Sequence, residues 1–332
     1  MPLINRCGGG GGTPQLCGQV ENFEVVSLGN NSLKLTWTAP SPDEDNSFVG
    51  ARIVRKTGSA PTGISDGTVV YEGTALTYTD TGLTAGTTYY YRAFAYNART
   101  KYQTELRAVS MAATNLKPNF ADNTWDAIVD ACHNNTVPNS WLVADSKTIT
   151  IDGVSYQFDI LGKNHDTYTA GGIAPLTFGM HNSYNTQARM DDNERIASAW
   201  DSSEMRQTTL PNILSKMPTV IKNGIRAVNK PVANSAKDST IITTSDKLFL
   251  LSAEEVVGQK TDAVATEGKQ YDYYKAGNSK IKTLNGKDDW WWLRSPATES
   301  LGTGHFCRID SDGGASNFSC IYTAGIAFSF CF

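Results

Sequence analysis

With 332 residues, 40% hydrophobic and 10% aromatic, the chain can bury more than one core, and its length alone points to two domains. A net charge of −4 and an isoelectric point near 5.6 remove the electrostatic reason to expect a nucleic-acid partner, and the lack of an apolar run of spanning length argues against membrane insertion. The six cysteines, Cys7, Cys17, Cys132, Cys307, Cys320 and Cys331, form no C-x-x-C pair and meet no His at finger spacing, so neither a zinc site nor a disulfide framework is expected.

In chain order, residues 1–19 hold a glycine block from Gly8 to Gly12. Glycine loses the most backbone entropy on ordering, so this tail is expected to be pliable on its own and to act as an anchor in an assembly. Met1 to Gln15 lack the apolar segment of a secretory leader. Residues 20–114 carry short alternating segments: Leu33, Leu35 and Trp37; Ile53 and Val54; Val69 and Tyr71; then Tyr89, Tyr91, Ala93 and Ala95. A period of two without any helical stretch predicts a β-sandwich. The run from Leu83 through Thr84, Ala85, Gly86 and Tyr89 to Ala93 resembles the strand F region of fibronectin type III domains, with Tyr89 as the tyrosine corner, Trp37 as the core tryptophan, and Ala85 where proline is common. The resemblance implies a spacer.

Residues 115–119, with Pro118, are the expected linker. Beyond it, Asn123 is expected to cap a helix that buries Trp125, Ile128, Val129 and Cys132 on one face. Asp152-Gly153 separates two alternating runs and predicts a hairpin. Trp200 to Arg206 opens a second helical region, continued past Pro211 by Ile213, Leu214 and Met217. Residues 247–251 predict a buried strand running into a short acidic helix from Ala253 to Val257.

The end of the chain is organised differently. Two apolar, aromatic flanks, Trp290-Trp291-Trp292-Leu293-Arg294-Ser295-Pro296 and Gly325-Ile326-Ala327-Phe328-Ser329-Phe330-Cys331-Phe332, enclose residues 297–324, which are small, polar or singly aromatic. A segment so poor in aliphatics, pinned by strands that belong to a core, is expected on the surface of a rigid scaffold. The candidate binding residues are Thr298, Ser300, Leu301, Thr303, His305, Phe306, Arg308, Ser316, Asn317, Phe318, Ser319, Ile321, Tyr322 and Thr323; Trp291, Trp292, Arg294 and Gly325 are the candidate scaffold. Tyr, Phe and His offer contact area with few rotatable bonds, while Ser, Thr, Asn and Gly adapt and hydrogen-bond. Past Ser300 the chain contains no Lys, Glu, Gln, Met or Trp.

Trp-Trp-Trp-Leu-Arg-Ser-Pro, the polar mixture after it and the Gly-Ile-Ala-Phe-Ser-Phe-Cys-Phe end together resemble the variable end of proteins diversified by retroelements. Such elements rewrite template adenines, and Asn codons changed at their adenines cannot become Lys, Glu, Gln, Met or Trp. Together with Asn164-His165-Asp166, the Trp200 to Arg206 segment and Lys247 to Ser252, this order is similar to the C-type-lectin-like fold, in the branch shared with formylglycine-generating enzymes. The resemblance implies an all-β fibronectin type III sandwich at 20–114, then an α+β C-type-lectin-like domain at 120–332 with its variable end at about 297–324. It implies a receptor-binding protein of a phage tail tip: a homotrimer in the virion, joined to other tail proteins through its N-terminal tail, contacting a host cell-surface protein or glycan without catalysis or cofactor. A bacterial surface adhesin of the same fold is the alternative, and a formylglycine-generating type of oxidase the next.

Residues suggestive of chemistry have plainer explanations. His165 and Asp166 are adjacent, and neighbouring residues rarely face one another, so a pair capping a turn is expected rather than a base and its orienter. Asp191-Asp192-Asn193-Glu194 and Asp310-Ser311-Asp312-Gly313 are rich in oxygen, but calcium takes about six or more oxygen ligands, so the second is expected to be a solvated turn between strands. Cys307 and Cys320 are the only candidates for an oxidase thiol pair, and neither sits where a thiol would be acidified. Three consecutive tryptophans on a strand alternate faces, so at least one must point inward, and core packing is expected for most of them.

Overall fold

A computed structural model of the chain describes residues 18–29, 31–40, 48–84, 86–98, 102, 109–114, 116–193, 200–298 and 304–332. The expected anchor tail lies almost wholly outside them. The chain divides after Pro118 into two compact units, 1–118 and 119–332, which places the boundary inside the expected linker.

The first unit is a two-sheet sandwich. One sheet has the order β1-β2-β5, from β1 (Glu21–Gly29), β2 (Ser32–Thr38) and β5 (Thr77–Asp80); the other has the order β4-β3-β6-β7, from β3 (Phe48–Thr57), β4 (Thr68–Gly73), β6 (Thr88–Asn97) and β7 (Val109–Thr114). The alternation sends Leu33, Leu35, Trp37, Ile53, Tyr91, Ala93 and Ala95 into one core, whereas Val54 packs with Phe94 on the other face. Tyr89 accepts a hydrogen bond at its hydroxyl from the Thr84 amide at 3.0 Å, the tie expected of a tyrosine corner. Beneath it, buried Asp80 takes both Arg55 (2.8 and 2.9 Å) and the Tyr91 hydroxyl (2.8 Å).

The second unit is built on a five-stranded antiparallel sheet in the order β13-β19-β10-β9-β8: β8 (Ser146–Ile151), β9 (Val154–Lys163), β10 (Leu176–Met180), β13 (Phe249–Leu250) and β19 (Phe328–Cys331). The last strand of the chain is therefore internal, paired through Phe178↔Phe330 and Phe249↔Ser329. Phe158, Phe178, Phe330 and Phe332 pack there with Phe120 and Trp125 at ring separations of 5.1–6.2 Å. Helix α1 (Trp125–His133) is capped by Thr124, whose hydroxyl accepts from the Ala127 amide at 3.2 Å. Asn123, the expected cap, instead folds its side-chain amide onto the carbonyls of Asn119 and Phe120. The β8–β9 hairpin turns through Asp152 (φ 51°) and Gly153 (φ 80°), the left-handed pair that matches strand twist. The helical region near Trp200 consists of a short turn, a π-helical stretch at Met205–Thr209 and α2 (Leu210–Lys216), with α3 (Thr219–Gly224) following.

The remaining elements support the end of the chain. These are the β11–β12 hairpin (Val228–Ser235, Asp238–Asp246), α4 (Ala253–Val257), α5 (Asp272–Lys275) and the β14–β15 hairpin (Lys282–Leu284, Lys287–Asp289). A second antiparallel sheet has the order β16-β17-β18, from Trp291–Pro296, His305–Ile309 and Ala315–Ser319. Among the described residues no helix is long and apolar enough to cross a membrane.

Lys282 of β14 is fully buried, donates to the carbonyls of Met180 and His181, and lies 5.0 Å from the Trp291 ring centroid. Desolvation pulls its pKa from the ordinary 10.5 down to about 8. The unfolded chain then binds more protons than the folded one between those values, so this group's contribution to stability grows as pH rises through the window and is lost as pH falls through 8. The unfolding free energy of the native chain minus that of Lys282→Met is expected to climb by up to about 3 kcal/mol from pH 7 to pH 10.5. Denaturant titrations across that range check it; a flat difference would show that the ammonium is not desolvated.

Candidate recognition surface

The candidate segment begins where β16 ends. Along β16, Trp291, Trp292, Leu293 and Arg294 are all buried, so the expected scaffold residues are scaffold. Arg294 is held at both ends of its guanidinium: Nη1 donates to the Leu250 carbonyl (3.0 Å) and Glu255 Oε2 (2.5 Å), and Nη2 to Glu255 Oε1 (3.0 Å) and the carbonyls of Pro231 and Glu267 (3.2 Å each). The attraction of the two opposite charges holds the Glu255 carboxyl below its ordinary range against the cost of burial. At the other end of the segment, the Gly325 amide donates to the Trp290 carbonyl (2.9 Å) and the Gly325 carbonyl accepts from the Trp292 amide (3.1 Å). A Cβ on Gly325 would come within 2.5 Å of the Ser183 hydroxyl and 3.1 Å of the Trp290 carbonyl, so the returning chain closes on β16 where there is no side chain to displace Ser183.

Between these clamps β17 and β18 pair in register, Phe306 opposite Phe318 and Arg308 opposite Ser316. The intervening Asp310–Gly314 turn is closed by the Asp310 amide on the Gly314 carbonyl, by the Gly314 amide on Asp312, and by Gly313 at φ 84°. It is the solvated turn expected there. The pleat then sorts the segment into two faces.

One face carries a graded series of rings. Trp292 is buried; half-buried Trp290 meets it at 5.5 Å, Phe318 meets Trp290 at 5.3 Å and 81°, and Tyr322 meets Phe318 at 4.7 Å with 53% of its surface exposed. The Arg308 guanidinium lies between two of them, 4.0 Å from the Trp290 ring centroid and 4.6 Å from that of Phe318, while Nε reaches Ser316 and Asp310 at 2.9 Å each. Such a cation over two rings is worth about 0.5–2 kcal/mol and fixes its own geometry. Exposed Ile321 and Thr323 flank Tyr322, and Thr323 contacts Gln187, which itself donates to Asp289 at 2.7 Å. Recognition of a partner by rigid aromatics beside small polar groups is the chemistry this face can perform.

The opposite face is a hydrogen-bonded chain: His305 meets Asn317 at 2.9 Å, and Asn317 donates to Asp262 at 2.8 Å, whose backbone carbonyl takes the Thr298 amide at 2.9 Å. All four residues are partly buried. Two expected binding residues are corrected. Phe306, 1% exposed, packs inward as β17 crosses β16, and Ser319, 7% exposed, lies where β18 turns under toward Cys320. Ser300, Leu301 and Thr303 lie outside the described residues. Trp290, Gln187, Asp289 and Asp262 join the site without having been expected; for Trp290 the signal was the alternation of the three tryptophans, which puts Trp290 and Trp292 on one face.

Cys307 and Cys320 are buried, and burial pushes the Cys307 thiol far above its ordinary range. Asp166 does not cap a turn: it lies buried against Lys230 at 2.7 Å, while His165 stacks on Tyr271 at 3.9 Å.

Compared with known proteins, residues 18–111 match the fibronectin type III domain family, and residues 176–331 match the family described as "Domain of unknown function (DUF6273)". Comparison with curated proteins finds no match. Among solved structures, the fibronectin type III domain of human fibronectin type III domain containing protein 3 is 19% identical, with 34% of this chain and 99% of that one covered and a TM-score of 0.26. A redesigned β-sandwich protein is 24% identical, with 32% and 93% covered and a TM-score of 0.24. Domains d3–d4 of the rat CD45 extracellular region are 16% identical with a TM-score of 0.24; the match takes in 30% of this chain and about half, 49%, of that one. The chain is thus multidomain and strand-rich, and its first unit is a fibronectin type III domain.

The two kinds of position are expected to separate in stability. Trp292→Ala and Phe306→Ala should each cost about 3–5 kcal/mol, and Tyr322→Ala about 0.5 kcal/mol or less. Urea unfolding of the three variants checks this, and an equal loss at Tyr322 would move that ring into the core.

Proposed function

We propose that this protein is the receptor-binding protein of a phage tail tip, in which a C-type-lectin-like head presents a retroelement-diversified surface to a host cell-surface protein or glycan. The observation that carries this is the graded ring face. Tyr322, Ile321 and Thr323 are exposed in the turn that follows a sheet based on the buried Trp291, Trp292 and Arg294 of β16, within the stretch past Ser300 that lacks Lys, Glu, Gln, Met and Trp. Side chains there can change without loss of the frame, because neither clamp draws on them. The fibronectin type III domain is the spacer between this head and a tail anchored among other tail proteins. A single face of this kind falls near the lower end of interface size, about 800 Å² per partner, and a trimer would multiply a modest affinity through avidity. Binding of this sort needs no cofactor. An oxidase would need an accessible thiolate, which the burial of Cys307 and Cys320 disfavours; a surface adhesin uses the same face and differs in where the chain is displayed.

Sequencing the locus in closely related genomes tests the proposal. Substitutions are expected to concentrate at Arg308, Ser316, Phe318, Ile321, Tyr322 and Thr323, to spare Trp291, Trp292, Arg294 and Gly325, and to accompany a nearby reverse-transcriptase gene with a near-identical template repeat. Differences scattered evenly over 120–332, with no such repeat, would remove the basis for a diversified binder.

A further inference from the structure

Outside the recognition face, the second unit buries a lysine between two carboxylates. Lys230 on β11 and Asp166 in the loop after β9 are 64 positions apart in sequence, yet Nζ lies 2.7 Å from Asp166 Oδ1. On its other side Nζ lies 2.6 Å from Glu255 Oε1, on α4. Lys230 is 1% exposed, Asp166 5% and Glu255 1%. Aromatic rings wall the group: Nζ is 4.3 Å from the Phe249 ring centroid and 5.6 Å from that of Tyr271. Asp166 Oδ2 is bound separately, by the Thr177 hydroxyl at 2.6 Å and the Tyr271 hydroxyl at 2.7 Å. An amine facing one oxygen of a carboxyl, two hydroxyl donors on the other oxygen and a second carboxylate within reach of the amine's protons are the parts that amide formation needs.

We propose that Lys230 and Asp166 join in an intramolecular isopeptide bond, formed by the folded chain itself with Glu255 as the proton carrier. The Lys230 ammonium gives one proton directly to Asp166 Oδ1 across their 2.7 Å contact, and the freed lone pair attacks Cγ of the neutral acid while Thr177 and Tyr271 stabilise the negative charge gathering on Oδ2. Glu255 takes a second proton from Nζ of the adduct, across a 2.6 Å contact, and releases it to the Oδ1 hydroxyl, which departs as water when the tetrahedral adduct collapses. The Nζ–Cγ bond forms and the Cγ–Oδ1 bond breaks. Two of the three Nζ protons leave with the water, the third remains on the amide nitrogen, and Glu255 ends as it began. No oxidant, metal or nucleotide is required, and net charge is unchanged because one cation and one anion disappear together. The driving force is local. Two ions held out of water, each bearing a desolvation cost, become one neutral amide.

Mass spectrometry of the full purified chain in denaturant reads the bond directly. The native chain is expected to be lighter than its sequence mass by one water molecule, and its digest to contain a branched peptide joining Lys230 to Asp166. Lys230→Arg and Glu255→Gln should each run at full sequence mass. A native chain at full mass after prolonged incubation overturns the proposal, as does a lost water that maps to an Asp-Gly pair such as Asp152-Gly153. A cross-link of undiminished yield in Glu255→Gln overturns the role given to Glu255. The native mass decides the bond by itself, so variants that fail to fold leave the test intact.

Discussion

The second unit depends on where it places its buried charges. Arg294 enters the core from the middle of β16, and Glu255 neutralises it from α4 through two oxygens while Lys230 approaches from β11. Glu255 is also the third helical residue of its own capping box: its carboxylate accepts from the Ser252 amide at 3.0 Å while its own amide donates to the Ser252 hydroxyl at 3.0 Å. A second carboxyl, Glu267, accepts from the Ala233 amide at 2.7 Å and the Ser295 hydroxyl at 2.6 Å, and burial pushes it above its ordinary range. Removal of any one partner would strand a charge away from water, at a cost of about 3–5 kcal/mol. Elements far apart in the chain, β11, α4, the 267 loop and β16, are therefore committed to one arrangement.

That commitment explains how a hairpin so poor in aliphatic residues can hold its shape. β17 contributes Phe306, Cys307 and Ile309 to the interior; its register with β18 is set by the Asp310–Gly314 turn, and its base is β16, immobilised through Arg294. Stiffness is imported from beneath. The outward side chains are relieved of structural work beyond local contacts such as Arg308 between Trp290 and Phe318, which is the physical condition for a surface whose identity can change while its backbone does not.

Much of this was legible along the chain, and the parts that were not share a cause. Alternation announced the sandwich, Asp152-Gly153 its hairpin and the acidic Ala253–Val257 stretch its helix, because each is decided by residues within a turn or a strand of one another. The cap of α1 was misplaced by one residue because Asn123 and Thr124 are both competent caps, and only the folded chain shows which hydroxyl or amide faces the Ala127 amide. Phe306 and Ser319 were assigned outward because nothing local says which face of an edge hairpin meets a core when aliphatic markers are sparse; the answer lies in the pairing of Phe306 with Pro296 across the strands. The charge cluster was invisible for the same reason on a larger scale: Asp166, Lys230, Glu255, Glu267 and Arg294 show no spacing that distinguishes them from solvated residues, and their meaning arises only from tertiary contact.

The same contrast separates the two ends of the head in kind. At the recognition face, polar and aromatic groups are satisfied by short-range contacts and remain open to water, so replacing one disturbs little else. At the Lys230 cluster the Lys230 ammonium, the Asp166 and Glu255 carboxylates and both terminal nitrogens of Arg294 are bound by partners from other elements, and the low local polarity magnifies each pairing. A binding protein gains from this division. Affinity for a changing partner calls for side chains that fold without mutual obligation, whereas a frame that must survive every such change calls for groups that cannot be altered singly. β16 joins the two populations, with buried Trp292 in ring contact with Trp290 of the first and Arg294, two residues further along, bound into the second.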